Sequence, residues 1–262
     1  MSPEKTTQRR IAAADALSRI GGNRFWTPPH GEPEWIDIPP GEFTMGEGGK
    51  LHRLKLGGYS IARVPVTNAQ YQLFVQATGH RPPQDWNGKH VPKGREGHPV
   101  VTVSWRDALA YCSWLSEASG RPITLPHEAE WERAARGDQD ERSYPWGDGF
   151  DPMRCNVYES GFGGTTPVGI FQSGESPFGC LDMAGNVWEW TRSRYESYPD
   201  EPDDDRMVVR GGAWSGNRGN ARCASRSGLN PIIGTTTGVF GWCCVLLLFP
   251  SSVLCRLCSL EL

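Results

Sequence analysis

An irregular α+β domain, rich in loops and poor in regular secondary structure, is the fold class this sequence predicts, and three observations carry the prediction. The chain of 262 residues holds 32 glycines and 21 prolines, which punctuate it into short segments because both residues break helices and strands. It also holds 11 tryptophans, enough large apolar area to anchor such segments from inside. Helical patterning is confined to three stretches between Thr67 and Gly137, with strand-like alternation before them and glycine-broken text after.

Residues 1–34 read as a polar N-terminal arm, with one amphipathic turn around Ile11 to Ile20 and a Pro-rich exit, TPPHGEPEW. From Trp35 the text WIDIPPGEFTMGEGG alternates apolar and polar residues as a half-buried strand and turn do. The first helix is capped by Thr67, carries Tyr71, Phe74, Val75 and Ala77 near helical spacing, and stops at Gly79. Ser104 caps the second, where Asp107 completes a capping box, Ala108, Tyr111, Cys112 and Leu115 share a face, and Gly120 ends the run. Pro126 opens the third, PHEAEWERAARG, with acids in its first turn and Arg133 and Arg136 in its last, before Gly137. Beyond it, segments such as SGFGGTTPVGIF and GCLDMAGNVWEW exclude regular helix because glycine recurs too often. The apolar run GVFGWCCVLLLFP is shorter than the ~20 residues of a transmembrane helix, so a buried terminal strand is expected and membrane insertion is not.

Charge excludes another class of function. A net charge of −3 and the absence of Lys/Arg-rich runs provide no field to attract phosphate backbones, so nucleic acid is not an expected partner. The first twenty residues lack an apolar core of signal-peptide length, which makes a cytoplasmic location the expectation. In a reducing compartment the eight cysteines read mostly as small buried apolar residues. Cys255 and Cys258 form a lone C-x-x-C, too few ligands for a tetrahedral zinc site.

Seven segments taken together are similar to one family. GEFTMG at 41–46, PVTNAQYQLFV at 65–75, HPVVTVSWRDALAYCSWLS at 98–116, LPHEAEWERAARG at 125–137, YPWGD at 144–148, GNVWEW at 185–190 and VVRGGAW at 208–214 resemble the successive signature blocks of formylglycine-generating enzymes, the sulfatase-modifying-factor family. The resemblance implies a C-type-lectin-like fold over about residues 35–250, with 251–262 as a tail. In the family's oxidases, two cysteines shortly after the RGG block bind copper, and one attacks a substrate cysteine. Here that stretch reads RGGAWSGNRGNARCASRSG: Gly216 stands in the place of the first cysteine, and no second one occurs in the stretch. Cys223 falls where family members often carry a buried residue. Glycine, serine and asparagine cannot replace thiolate on soft Cu(I), so copper is not expected. A formylglycine-generating oxidase acting on a protein cysteine is the alternative reading. The iron-dependent branch of the superfamily uses a histidine-rich helical domain, and the six histidines here show no such arrangement.

The resemblance also implies a structural calcium ion near the GNVWEW block, held by Asp182 and Glu189 with the carbonyls of Gly185 and Val187, a donor set of hard oxygens that suits the ion. The competing reading has the two acids capping turns and pairing with arginines. A second family calcium site would use Asn156, Val157 and the carbonyl of Phe162 with an acid near 160, where this chain has Ser160. The end of the sequence, SGLNPIIGTTTGVFGWCC, is similar to the variable proteins of diversity-generating retroelements, which display a hypervariable C-terminal segment on this fold. Adenine-directed mutation of Asn-type codons yields only certain residues, and every residue from Ser227 to Val239 belongs to that set.

Residues of a variable region at about 214–244 are therefore expected to contact a protein or other macromolecular ligand. They are Ser215, Gly216, Asn217, Gly219 and Asn220, then Ser227, Leu229, Asn230, Ile232, Ile233, Thr235, Thr236 and Thr237. Exposed Ile232 and Ile233 would be the energetic anchors; the alternative is that they fill the core beneath the loop. Function on this reading is ligand binding on a catalytically inactive scaffold.

Overall fold

The computed structural model describes residues 25–195 and 205–232, the isolated positions 9, 10, 12, 13 and 16, and the backbone of 242–244 and 247–248. Chain order begins with a small hairpin, β1 (Trp26–Thr27) against β2 (Glu32–Pro33). β3 (Trp35–Ile38) follows, then β4 (Gly41–Met45), β5 (His52–Leu56) and β6 (Tyr59–Ala62). Phe25 is buried with Val64, Val168 and Leu181, so packed structure is present ahead of the Trp35 boundary read from sequence.

The three helices are α1 (Asn68–Thr78), α2 (Trp105–Ser119) and α3 (Glu128–Arg136), with β7 (Ile123–Thr124) between the last two. Thr67 and Ser104 each make a full capping box, with Gln70 and Asp107, and Gly79 and Gly120 take left-handed conformations at the helix ends. These side chains satisfy backbone N–H groups that a helix start leaves without partners. All four residues assigned to the inner face of α2 are buried, as are Tyr71, Phe74 and Val75 of α1, whereas Ala77 is exposed. α3 begins two residues later than Pro126 suggested. The Pro126 carbonyl accepts from Arg192 N–H, which holds it in an extended pairing, and His127 becomes the residue before the helix, its N–H donating to Glu130 Oε2 at 2.6 Å.

β8 (Trp188–Arg194), β9 (Met207–Arg210), β10 (Arg226–Leu229) and β11 (Trp242–Cys244) form a sheet in the order β10-β9-β8-β11; β12 (Leu247–Leu248) lies between β6 and β7 in a second sheet, β3-β6-β12-β7. The apolar terminal run is thus two short strands in different sheets, not the one strand expected. β11 runs parallel to β8 and β12 antiparallel to β6 and β7, a change of partner that a single strand cannot make. Among the described residues no helix is long and apolar enough to cross a membrane.

The main core joins α1 and α2 to the β8–β9 face through Tyr71, Phe74, Tyr111, Leu115, Trp190 and Val209. A second cluster surrounds Trp131 of α3. Between α3 and β9 lies a buried charged layer. Arg210 donates to Glu128 at 3.0 Å, to Glu132 at 2.5 Å and to the carbonyls of Cys223 and Ala224, while Arg136 pairs with Glu132 at 3.0 Å. Buried charges persist only when paired and hydrogen-bonded in this way. The layer ties the RGG segment to α3 and fixes the base of the loop that follows.

Candidate functional site

The loop after β9 starts from a backbone shape that requires glycine. Gly212 has φ +77, and a Cβ there would lie 2.8 Å from the Asn220 carbonyl oxygen, so the chain doubles back on itself at that point. From there Ser215 to Asn220 form a compact turn. Gly216 N–H donates to the Ala213 carbonyl, Asn220 N–H to Asn217 O, and Gly219 N–H to Asn217 Oδ1. The turn rests on the short 3-10 segment Tyr158–Ser160: Tyr158 N–H donates to Gly216 O at 2.8 Å, and Arg218 N–H donates to the Glu159 carboxylate at 3.1 Å. Asn217 is exposed; Ser215, Gly216, Gly219 and Asn220 are half-buried.

The second group of predicted contact residues lies elsewhere. Ser227 and Leu229 sit on edge strand β10, half-buried, and Leu229 packs on the main core. Asn230 and Ile232 are exposed, Ile232 at 65 %, and with Pro231 they border a pocket of about 390 Å³. Its other walls are Trp105 and Arg106 from the start of α2, Arg192 and Arg194 from β8, and Asp205 and Met207. Ile233, Thr235, Thr236 and Thr237 lie outside the described residues, as do Cys255 and Cys258. The two groups of candidates therefore stand against different neighbours, one on the Tyr158 segment and the other on the α2–β8 pocket.

None of the walls contributed by α2, β8 and β9 was singled out from the sequence. The available signal was R-S-R at 192–194, because residues two apart on a strand face the same way. A larger cleft of about 460 Å³ lies between the β4–β5 hairpin and α3, but its charges close on one another, Arg222 on Glu47 and Arg226 on Glu128.

Among the described residues the thiols are poorly placed for sulfur chemistry. Cys112, Cys155, Cys180 and Cys223 are free thiols and buried. Burial pushes the Cys155, Cys180 and Cys223 thiols up to about 12, which leaves almost no thiolate at neutral pH. Cys223 is thus a packed residue rather than a nucleophile.

Two buried acids lie in and just before the GNVWEW block. Asp182 and Asn186 are non-glycine residues in the left-handed region, with φ 58 and 64, and flank Gly185 at φ 80, where a Cβ would sit 2.2 Å from the Asn156 carbonyl. Asp182 accepts from Gly169 N–H at 2.5 Å; burial, opposed by that bond, raises its carboxyl to about 6. Glu189 is fully buried. Its Oε2 accepts from the Trp131 indole, while Oε1 has no hydrogen-bond partner. Burial raises Glu189 well above the usual carboxylate range against the Trp131 bond, and the charge of Asp182 adds to the rise. Neither acid pairs with an arginine among the described residues. Asp182 thus caps a turn through one oxygen, while the unpartnered Glu189 Oε1 is a hard oxygen of the kind a calcium ion takes. At the second implied site, Asn156 Oδ1 is also a buried oxygen without a partner, but Ser160 is occupied locally: its Oγ accepts from Val157 N–H and donates to the Cys155 carbonyl.

The architecture is an irregular, loop-rich α+β scaffold of the C-type-lectin-like kind. The chain belongs to the sulfatase-modifying-factor family: residues 26–241 match the sulfatase-modifying factor enzyme 1-like domain. It is 42% identical over 261 aligned residues to the inactive C-alpha-formylglycine-generating enzyme 2 of Bos taurus, covering 75% of this chain and 83% of that protein. To the serine/threonine-protein kinase Pkn1 of Chlamydia trachomatis it is 33% identical over 244 residues, 80% of this chain but only 38% of the kinase's length. Among solved structures, Treponema denticola variable protein 1 superposes with a TM-score of 0.67 at 22% identity, over 86% of this chain and 98% of that one, a likeness of fold.

Proposed function

We propose that this chain is a ligand-binding variable protein of a diversity-generating retroelement, presenting a C-terminal binding surface on a catalytically inactive formylglycine-generating-type scaffold. The observation that carries the reading is Ile232. A β-branched apolar side chain 65 % exposed at a pocket mouth serves no core, and exposed apolar anchors in rimmed pockets are what binding energy comes from. Gly216 in the place of the oxidase cysteine, and a relative named as inactive, support the absence of oxidase activity. The partner on this reading is a protein or other macromolecule seated across Asn217, Asn230 and Ile232. Free buried thiols favour a reducing cytoplasm as its location.

A calcium ion belongs to the same reading as a structural element, bound by Asp182 and Glu189 with carbonyl oxygens of Gly185 and Val187. It would neutralise the two acids and hold the GNVWEW turn from which β8 departs. The genetic test of the variable surface compares the same locus across sister isolates. The expected result is substitution at adenine-derived codons between 215 and 239 with the preceding blocks constant, beside a downstream near-copy of that coding segment. Substitutions spread evenly along the gene would remove the reading.

A further inference from the structure

We infer that the pocket between α2, β8 and the Asn230–Ile232 segment recognises the carboxylates of an acidic protein segment. The inference deepens the binding reading by naming the chemistry of the ligand, and rests on that reading for the claim that the face is used.

Three guanidinium groups, Arg106, Arg192 and Arg194, line this pocket against one acid, Asp205. Arg106 is exposed and has no partner among the described residues. Arg194 lies 3.8 Å from Asp205, both largely in solvent, and a pair so loose and exposed holds its arginine with little energy. Arg192 is held by Glu130 at 3.4 Å, so the open positive charge at the mouth comes from Arg106 and from the loosely held Arg194.

An apolar shoulder accompanies the charge. The Trp105 indole is fixed by donating to the Thr191 carbonyl at 2.9 Å, and Met207 and Ile232 also line the pocket. Guanidinium groups bind carboxylates bidentately, and the apolar wall suits the methylene stems and neighbouring side chains of a peptide. A phosphodiester backbone is disfavoured because the chain as a whole carries −3 and lacks the extended basic stripe such binding needs. Between Arg194 and Asp205 the sequence holds five acids, Glu196, Asp200, Glu201, Asp203 and Asp204, and the test therefore uses a peptide with several carboxylates.

The test uses the full chain and a fluorescein-labelled hexapeptide of alternating Glu and Leu, read by fluorescence anisotropy at low and physiological salt. Saturable binding that weakens with salt is expected, with the Gln-for-Glu isostere at least about ten-fold weaker. Arg106→Gln and Arg194→Gln, both at exposed positions, should each weaken the acidic peptide by about three- to ten-fold, while Arg53→Gln, an exposed arginine on the β4–β5 hairpin outside this pocket, leaves it unchanged. Equal binding of the isostere, or a single-stranded oligonucleotide binding more tightly than the peptide, would overturn the assignment. If Ile232→Ser weakens the peptide while both arginine variants bind it normally, the anion assignment falls and the binding surface stands. Even variation along the gene in sister isolates would remove the variable-surface reading without touching the peptide result.

Discussion

Glu189 concentrates the chemistry of a single residue into one measurement. Its Oε1 is buried without a partner, and its carboxyl and that of Asp182 are both raised by burial. A carboxylate whose folded value lies above its unfolded one contributes stability that is fully present below the unfolded value, near 4, and lost as pH rises through the folded value. For Asp182 that window runs from about 4 to beyond 6. Chelator-treated protein should therefore lose stability as pH rises across it. Calcium binds the deprotonated acids, so it should restore stability increasingly over the same window. At pH 7 and calcium roughly 100-fold above its Kd, calorimetry should show Tm about 5–8 °C higher than in chelator, with a much smaller gain at pH 4.5. In Glu189→Gln the calcium gain should vanish while the chelator-treated protein becomes no less stable at pH 7. A Tm indifferent to calcium at both pH values would return the two acids to a turn-capping role.

Among the elements, those whose signals are local were readable in the sequence. Ser104 Oγ accepts from Asp107 N–H at 3.1 Å while Asp107 Oδ2 accepts from Ser104 N–H at 2.9 Å, all within four residues, and α2 begins and ends where the text says. Ser104→Ala should cost about 1 kcal/mol and lower Tm by about 2–4 °C, measurable by thermal melting followed by circular dichroism. An unchanged Tm would show that packing of the inner face, not the cap, sets the start of α2. What stayed hidden depends on partners distant in the chain. The first-turn acids of α3 were read as complements to the helix dipole, yet Glu128 is buried because Arg210 reaches it from β9, as it reaches Glu132 one turn on. No local pattern announces such a partner. The α2–β8 pocket was visible in the sequence only from one side: Asn230 and Ile232 stand in the segment read as variable, whereas Trp105 and Arg194 join them through folding of α2 and β8, and the R-S-R alternation was the one local sign of it.

At the scale of the molecule, the terminal run interlocks the two larger sheets. β11 pairs with β8, placing Trp242, Cys243 and Cys244 opposite Trp188, Glu189 and Trp190, and β12 is inserted between β6 and β7, with Leu247 opposite both Ile61 and Thr124. One short segment thus borders the strand that carries Glu189 and bridges the strand after the β4–β5 hairpin to the strand before α3. Ending the chain at residue 241 would strip hydrogen-bond partners from three strands at once, and unpaired ladders are exposed to water and to other chains. Amide hydrogen exchange should register this as lost protection at Ile61, Thr124 and Trp188–Trp190. The amides of α1 and of the β4–β5 hairpin, whose hydrogen bonds are local, should change least. Because β8 carries Glu189, the truncated chain should also show a smaller calcium response than the full chain. Equal protection in both would mean that α1, α2 and the charged layer hold the scaffold unaided and that the terminal strands are attached to it rather than part of it.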